Sequence, residues 1–88
     1  MNKEFDIEGF KEKLDAVHTW PSVYTFKFIV PQDKLTQVEV LFPRHELKLK
    51  DSSKGKYVSV TAKMMASSSE EVVSIYQEAS KIEGIIAL

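Results

Sequence analysis

The chain has 88 residues, carries a net charge of −1 and contains no cysteine. This length predicts one small domain over residues 1–88, and the lack of cysteine excludes a disulfide framework, a thiol nucleophile and a thiolate metal site. No run reaches the roughly 18 apolar residues of a membrane helix, and the N-terminus lacks the apolar core of a signal peptide. We therefore expect a cytoplasmic protein without membrane contact.

The charge is unevenly spread along the chain. Residues 44–63 hold six basic and two acidic side chains, whereas residues 64–88 hold one lysine and four glutamates. The first 20 residues carry a charge of −2. This basic middle is smaller than the positive field of a typical nucleic-acid-binding protein, so the sequence argues against nucleic acid as the partner.

The N-terminal half predicts a helix, a strand and a second helix. Residues 6–17 have apolar side chains at helical spacing, and the Trp20-Pro21 pair ends that segment. Residues 22–30 alternate like a half-buried strand. One face of this strand is apolar: Tyr24, Phe26, Phe28 and Val30. Residues 33–42 again show helical spacing, with Asp33 as the expected N-cap.

The C-terminal half predicts two strands, a helix and a last short strand. Residues 46–51 alternate leucine with lysine like a protected edge strand, a turn follows at 52–55, and residues 56–65 form the second strong strand. The run Ser67-Ser68-Ser69-Glu70-Glu71 offers two overlapping capping boxes for a helix that we expect to end at Gly84. Residues 85–88 are predicted to form the last short strand.

This order predicts an α+β domain, a ferredoxin-like βαββαβ sandwich preceded by the helix at 6–17. In that fold, residues 22–88 form a four-stranded antiparallel sheet with strand order 4-1-3-2 and two helices on one face. The other face is left to water or to a partner.

Three segments carry a likeness to a known family. The stretch SSKGKYVSVT at residues 52–61 follows PSVYTFKF at residues 21–28 and precedes IY at residues 75–76. On these segments the chain resembles the YbeD-like family of small bacterial proteins from Trp20 to Leu88. The resemblance implies a ferredoxin-like domain with the architecture of the ACT regulatory domains, which bind small effectors at subunit interfaces. It implies no particular activity.

Two surfaces are candidate sites. The first is a basic turn with the composition of an anion or ligand cradle, formed by Ser52, Ser53, Lys54, Gly55 and Lys56. The alternative is a plain hairpin turn with solvated lysines. The second is a polar sheet face suited to a protein partner or to self-association, formed by Thr25, Lys27, Tyr57, Ser59, Thr61 and Lys63. The alternative is an ordinary hydrated sheet face.

No catalytic, metal or cofactor site is predicted. The two histidines, His18 and His45, lie on different segments, and no glycine-rich phosphate loop is present. The sheet face lacks the paired aromatic side chains on which RNA-recognition motifs stack bases. We therefore expect a non-enzymatic regulatory or adaptor domain that acts through its open sheet face or a strand edge. The alternatives are an ACT-like sensor of a small effector at a dimer interface and, less favoured, an RNA-binding domain.

Overall fold

The computed structural model of the chain describes residues 6–52 and 54–88, which form an α+β domain. Its helices and strands follow in the order α1 (Ile7–Val17), β1 (Ser22–Pro31), α2 (Leu35–Leu41), β2 (Leu47–Asp51), β3 (Tyr57–Ala66), α3 (Ser69–Ala79) and β4 (Ile86–Ala87). A three-residue 3₁₀ turn, Gln32–Lys34, precedes α2. The described residues therefore contain three α-helices and four strands, at positions close to those that the sequence predicts.

The four strands form one antiparallel sheet in the order β2-β3-β1-β4. Counted from the opposite edge, this is the sequence 4-1-3-2. The two long strands, β1 and β3, pair over ten residues in the centre, with Phe26 opposite Ala62 and Lys27 opposite Thr61. Strand β2 forms one edge of the sheet and the two-residue β4 forms the other.

One face of the sheet is covered by the helices. Strands β1 and β3 turn their alternate apolar side chains into a single core: Phe26, Phe28, Val30, Val58, Val60 and Ala62. The same core receives Val38 from α2 and Val72 from α3, and the partly buried Phe10 of α1 packs against it. Because all three helices contribute to this one core, they lie on the same side of the sheet and leave its other side open.

The ends of α1 and α3 are set by local hydrogen bonds. Asp6 caps α1, with its carboxylate accepting from the amide of Gly9 at 3.0 Å. Ser68 caps α3 by accepting from the amide of Glu71 at 3.2 Å, while the Glu71 carboxylate accepts from the amide of Ser67 at 2.7 Å. A capping box is thus confirmed, but its glutamate accepts from the amide of Ser67, the residue before the N-cap, and not from the N-cap amide itself.

Two predicted helix ends are wrong. Asp33 is not an N-cap: it lies within the 3₁₀ turn, and α2 begins only after Lys34, without a side-chain cap. Gly84 does not end α3, which stops at Ala79. The chain then continues through turns that bury Ile82, and Gly84 has a φ of +82° in the last of them.

Candidate functional site

The open side of the sheet carries the polar face that the sequence predicts. Strands β1, β2 and β3 all contribute to this surface, which we call the outer face and define by eight residues: Thr25, Lys27, Lys48, Lys50, Tyr57, Ser59, Thr61 and Lys63. Ser59 and Thr61 are half-buried and the other six are exposed. The alternation that buries the phenylalanines on one side therefore places lysines and hydroxyl groups together on the other.

The strand register sets lysines opposite hydroxyl groups across the outer face. Thr61 lies between Lys27 on β1 and Lys48 on β2. Two further pairs follow the same rule: Thr25 with Lys63 and Ser59 with Lys50. Because neighbouring positions in a sheet are close, four ammonium groups surround a short line of hydroxyls. Such an arrangement has the donors to bind carboxylate or phosphate groups.

The lysines of the outer face have no ion-pair partner among residues 6–52 and 54–88. The ion pair seen in these residues joins Lys81 to Glu78 on the helical side, at 2.9 Å. Glu46 lines a depression of about 330 Å³ together with Lys48, Thr61 and Lys63. The outer face is therefore a positive surface beside a shallow hollow.

Hydrogen bonds link described residues of the 52–56 turn to one another and to Tyr57. The amide of Ser52 donates to the carbonyl of Tyr57 at 2.9 Å, and the amide of Gly55 donates to the carbonyl of Ser52 at 3.0 Å. The amide of Tyr57 donates to the Ser52 hydroxyl at 3.3 Å. These three donors are used within the hairpin and are not directed at an anion. Lys54 and Lys56 are exposed, and Ser53 lies outside the described residues.

An apolar pocket lies on the helical side of the sheet, a feature that the sequence did not reveal. It has a volume of about 560 Å³ and lies between α1, α3, β1 and the C-terminal residues. Its lining includes Ile7, Phe10, Tyr24, Tyr76, Ala87 and Leu88. A pocket of this size and apolar character has the dimensions of a small-molecule site.

Two tyrosine hydroxyls meet at this pocket. The Tyr24 and Tyr76 hydroxyl oxygens are 3.1 Å apart, and their rings meet edge to face. Burial of Tyr76, followed by its hydrogen bond with Tyr24, raises the pKa of the Tyr76 hydroxyl well above its ordinary value of 10.0. Only one of the two protons is used in the bond between them, so the pair keeps one O–H available for an acceptor.

His18 contacts Ser22 and Trp20, and the part of the chain that the structure describes has no cluster of metal-ligating side chains. Its Nδ1 lies 3.0 Å from the Ser22 hydroxyl, and its ring stacks on Trp20 at 5.1 Å. The acid nearest in sequence, Asp15, accepts instead from the Trp20 indole at 2.7 Å. A histidine that acts as a base for a serine is normally oriented by a third group, and none is seen here among the described residues. His45 lies apart from this cluster, in an exposed turn.

Some of these features had no readable signal in the sequence. Tyr24 and Tyr76 are 52 residues apart, so only the packed fold brings them together. Met65 is 60% exposed, beside the outer face. For Lys48 and Lys50, the sequence predicts only protection of an edge strand. Their membership of the outer face follows from the strand order combined with the period-two alternation.

The chain belongs to a family described as a protein of unknown function, DUF493, whose model matches residues 15–88. The match covers all three strands of the outer face and α3, and begins within α1. Comparison with curated proteins and with solved structures gave no match. Within the described residues, no helix has the length and apolar character needed to cross a bilayer.

Proposed function

We propose that this chain is a YbeD-like, ferredoxin-like domain that acts as a non-enzymatic regulatory or adaptor module. Its outer face binds an anionic protein partner in the cytoplasm of a bacterium. The observation that carries this proposal is the register of the outer face, in which Lys27 and Lys48 flank Thr61. A ferredoxin-like sheet can serve many functions, so the fold by itself assigns none of them, and this surface carries the proposal.

Three properties support a binding role for this face. Its lysines are exposed and lack acidic partners in the described residues, so an incoming carboxylate need not displace an internal ion pair. Long lysine stems also cover apolar surface while keeping the charge in water. Finally, three apolar side chains of β1 and β3, Val23, Ile29 and Met65, lie on the same side of the sheet as the lysines. Polar contacts combined with a few apolar ones are typical of reversible interfaces.

The proposal is tested by reversing charge on the outer face. The double variant Lys27→Glu/Lys63→Glu should fold, because both side chains are exposed, and should lose partners that the unmodified domain retains from a bacterial lysate. The control is Lys11→Glu/Lys13→Glu on α1, which makes the same change in net charge elsewhere. Quantitative mass spectrometry of the retained proteins is the measurement. The proposal is contradicted if all three proteins retain the same partners equally. It is also contradicted if the outer-face variant loses bound nucleic acid but no bound protein.

The basic turn is tested separately. Lys54→Glu/Lys56→Glu should change the free energy of unfolding by less than about 0.5 kcal/mol, since both side chains are exposed. If the turn contributes to binding, this variant should weaken partner retention as well. If retention is unchanged, the turn is only a hairpin, as its internal hydrogen bonds favour.

The apolar pocket favours a second candidate function, an ACT-like sensor of a small effector at a dimer interface. A bound effector should raise the free energy of unfolding by RT ln(1 + [L]/Kd), about 2.7 kcal/mol at 100 times Kd. A thermal-shift screen of metabolites, combined with sedimentation to detect dimers, measures both properties. An adaptor should show no metabolite response, so the screen separates the two functions.

A further inference from the structure

Within residues 6–52 and 54–88, no strand pairs with the outer edge of β2, so the backbone groups along that edge are unpaired there. In an antiparallel ladder, residues bonded to the neighbouring strand alternate with residues directed away from it. The amide of Ser52 donates to the carbonyl of Tyr57 at 2.9 Å, so Ser52 is bonded towards β3. Every second residue before it along β2 is then bonded towards β3 as well. The backbone groups of Lys48 and Lys50 are therefore bonded to their partners on β3, Thr61 and Ser59. The N–H and C=O groups of Leu47, Leu49 and Asp51 consequently face the edge.

Side chains at this edge alternate in chemistry as well as in direction. Lys48 and Lys50 project onto the outer face, beside Thr61 and Ser59. Leu49 projects to the helical side of the sheet but is still 47% exposed, because no strand lies beyond it in the described residues. An added strand would cover Leu49 on one side of the sheet and meet two ammonium groups on the other.

The occupant that fits this edge is acidic rather than a second copy of the chain. Two β2 strands paired about a two-fold axis would bring lysine against lysine on the outer face, which is unfavourable. Edge lysines commonly block self-pairing in this way. The same lysines favour a strand that carries glutamate or aspartate at alternate positions, since opposite charges across a strand pair attract.

We propose that β2 receives an extended acidic segment of a partner protein, which adds to the sheet as a fifth, antiparallel strand. The segment alternates acidic and apolar residues. Its acids face Lys48 and Lys50, its central apolar residue faces Leu49, and a neutral polar residue faces Asp51. This inference rests on the proposed function, because it names the partner that the outer face and its edge would bind.

A short synthetic peptide is the probe. We choose acetyl-Thr-Glu-Val-Glu-Val-amide, whose first residue would lie opposite Asp51 and whose central valine would lie opposite Leu49. Titration into ¹⁵N-labelled protein should shift the amide signals of β2 and protect the Leu49 amide from hydrogen exchange. Binding should weaken as salt is raised, because exposed charge pairs are screened. A lysine-for-glutamate version of the peptide should not bind.

N-methylation of the peptide separates strand addition from simple charge attraction. The backbone of the central valine would bond to Leu49, whereas the backbones of the glutamates would point away from the protein. Methylating the valine nitrogen should therefore abolish binding, and methylating the second glutamate nitrogen should leave it unchanged. The two peptides have the same composition and charge, so they form a matched pair.

Charge reversal on the protein provides the second arm. Lys48→Glu/Lys50→Glu should weaken peptide binding by about tenfold or more, because two attractive cross-strand pairs become repulsive. Lys11→Glu/Lys13→Glu should bind as the unmodified domain does. The strand-addition proposal is overturned if the domain does not bind the acidic peptide, or if both methylated peptides bind equally well. A dimer formed through β2, seen by sedimentation and by the same edge signals, overturns it too.

The outcomes distinguish this inference from the proposed function. If both methylated peptides bind and Lys27→Glu/Lys63→Glu abolishes their binding, the outer face attracts anions without strand addition. The proposed function then stands and the inference falls. If the lysate experiment shows no lysine-dependent partner while the peptide binds the edge, the edge is a receptor and the wider outer face is not the binding surface.

Discussion

The hydroxyl pair between Tyr24 and Tyr76 gives the most direct test of how the helices are held to the sheet. Tyr24 lies on β1 and Tyr76 on α3, so their 3.1 Å contact joins the two layers. In Tyr76→Phe the ring should stay in place, since it contacts the rings of Phe26 at 5.1 Å and Phe28 at 5.8 Å. The loss is then one partly buried hydrogen bond, about 1 kcal/mol of the free energy of unfolding.

A double-mutant cycle isolates this interaction. Tyr24→Phe should cost about as much as Tyr76→Phe, because each removes the same bond. The double variant should cost little more than either one, which corresponds to a coupling of about 1 kcal/mol. Equilibrium unfolding in urea is the assay: with a slope of about 1 kcal/mol/M for a domain this small, each single variant should lower the midpoint by about 1 M.

A matched control and a clear contrary result accompany the cycle. Tyr57→Phe removes a hydroxyl from the exposed outer face, where no partner is seen among the described residues, and should leave the midpoint unchanged. If the costs of Tyr24→Phe and Tyr76→Phe simply add in the double variant, the two hydroxyls do not interact. The account of how α3 is joined to the sheet would then be wrong.

Three further predictions concern stability. Phe26→Ala should cost about 3–5 kcal/mol in urea unfolding, because the side chain is fully buried, and this is a large part of the roughly 4–13 kcal/mol that a domain of this length possesses. The raised pKa of Tyr76 means that the folded protein keeps a proton that the unfolded chain loses above about pH 10. This stabilisation is complete below that pH and is lost as the pH rises further. Between about pH 9 and 11, the midpoint temperature of thermal unfolding should therefore fall less steeply for Tyr76→Phe than for the unmodified domain. Gly84→Ala should cost more than Gly55→Ala in the same urea assay: both have positive φ, but a Cβ at Gly84 would lie 2.9 Å from the Pro31 ring, whereas one at Gly55 meets no atom within 4 Å. Equal costs would show that the contact with Pro31 relaxes freely.

The sequence predicts the elements that have a strong periodic pattern. Strands β1 and β3 are recognisable because each alternates over about ten residues, and both faces of the sheet follow from that alternation. Helix α3 is recognisable because Ser68 and Glu71 provide its cap. In each case the signal lies within a few residues and agrees with the burial that the fold requires.

The predictions fail where tertiary contacts overrule a local signal. Asp33 has the chemistry of an N-cap, but a 3₁₀ turn follows Pro31 and delays the helix to Leu35. Gly84 has the chemistry of a helix stop, but α3 ends earlier so that Ile82 can enter the core from a turn. The tyrosine pair and the apolar pocket depend on residues far apart in sequence, for which local patterns carry no information.

The composition of the outer face is not explained by folding alone. Core packing fixes only the inward positions of β1 and β3, so the outward positions are free to carry any residue that tolerates water. Lys27 and Lys48 nevertheless flank Thr61 on the two neighbouring strands, and Lys63 lies two residues further along β3. A face selected only for solubility would intersperse acids among these lysines. Acids lie instead on the helical side, for example Glu70 of α3, and the lysines of the outer face have no ion-pair partner among the described residues. The proposed binding of an anionic partner accounts for this segregation, because a surface of one sign of charge steers partners of the opposite sign.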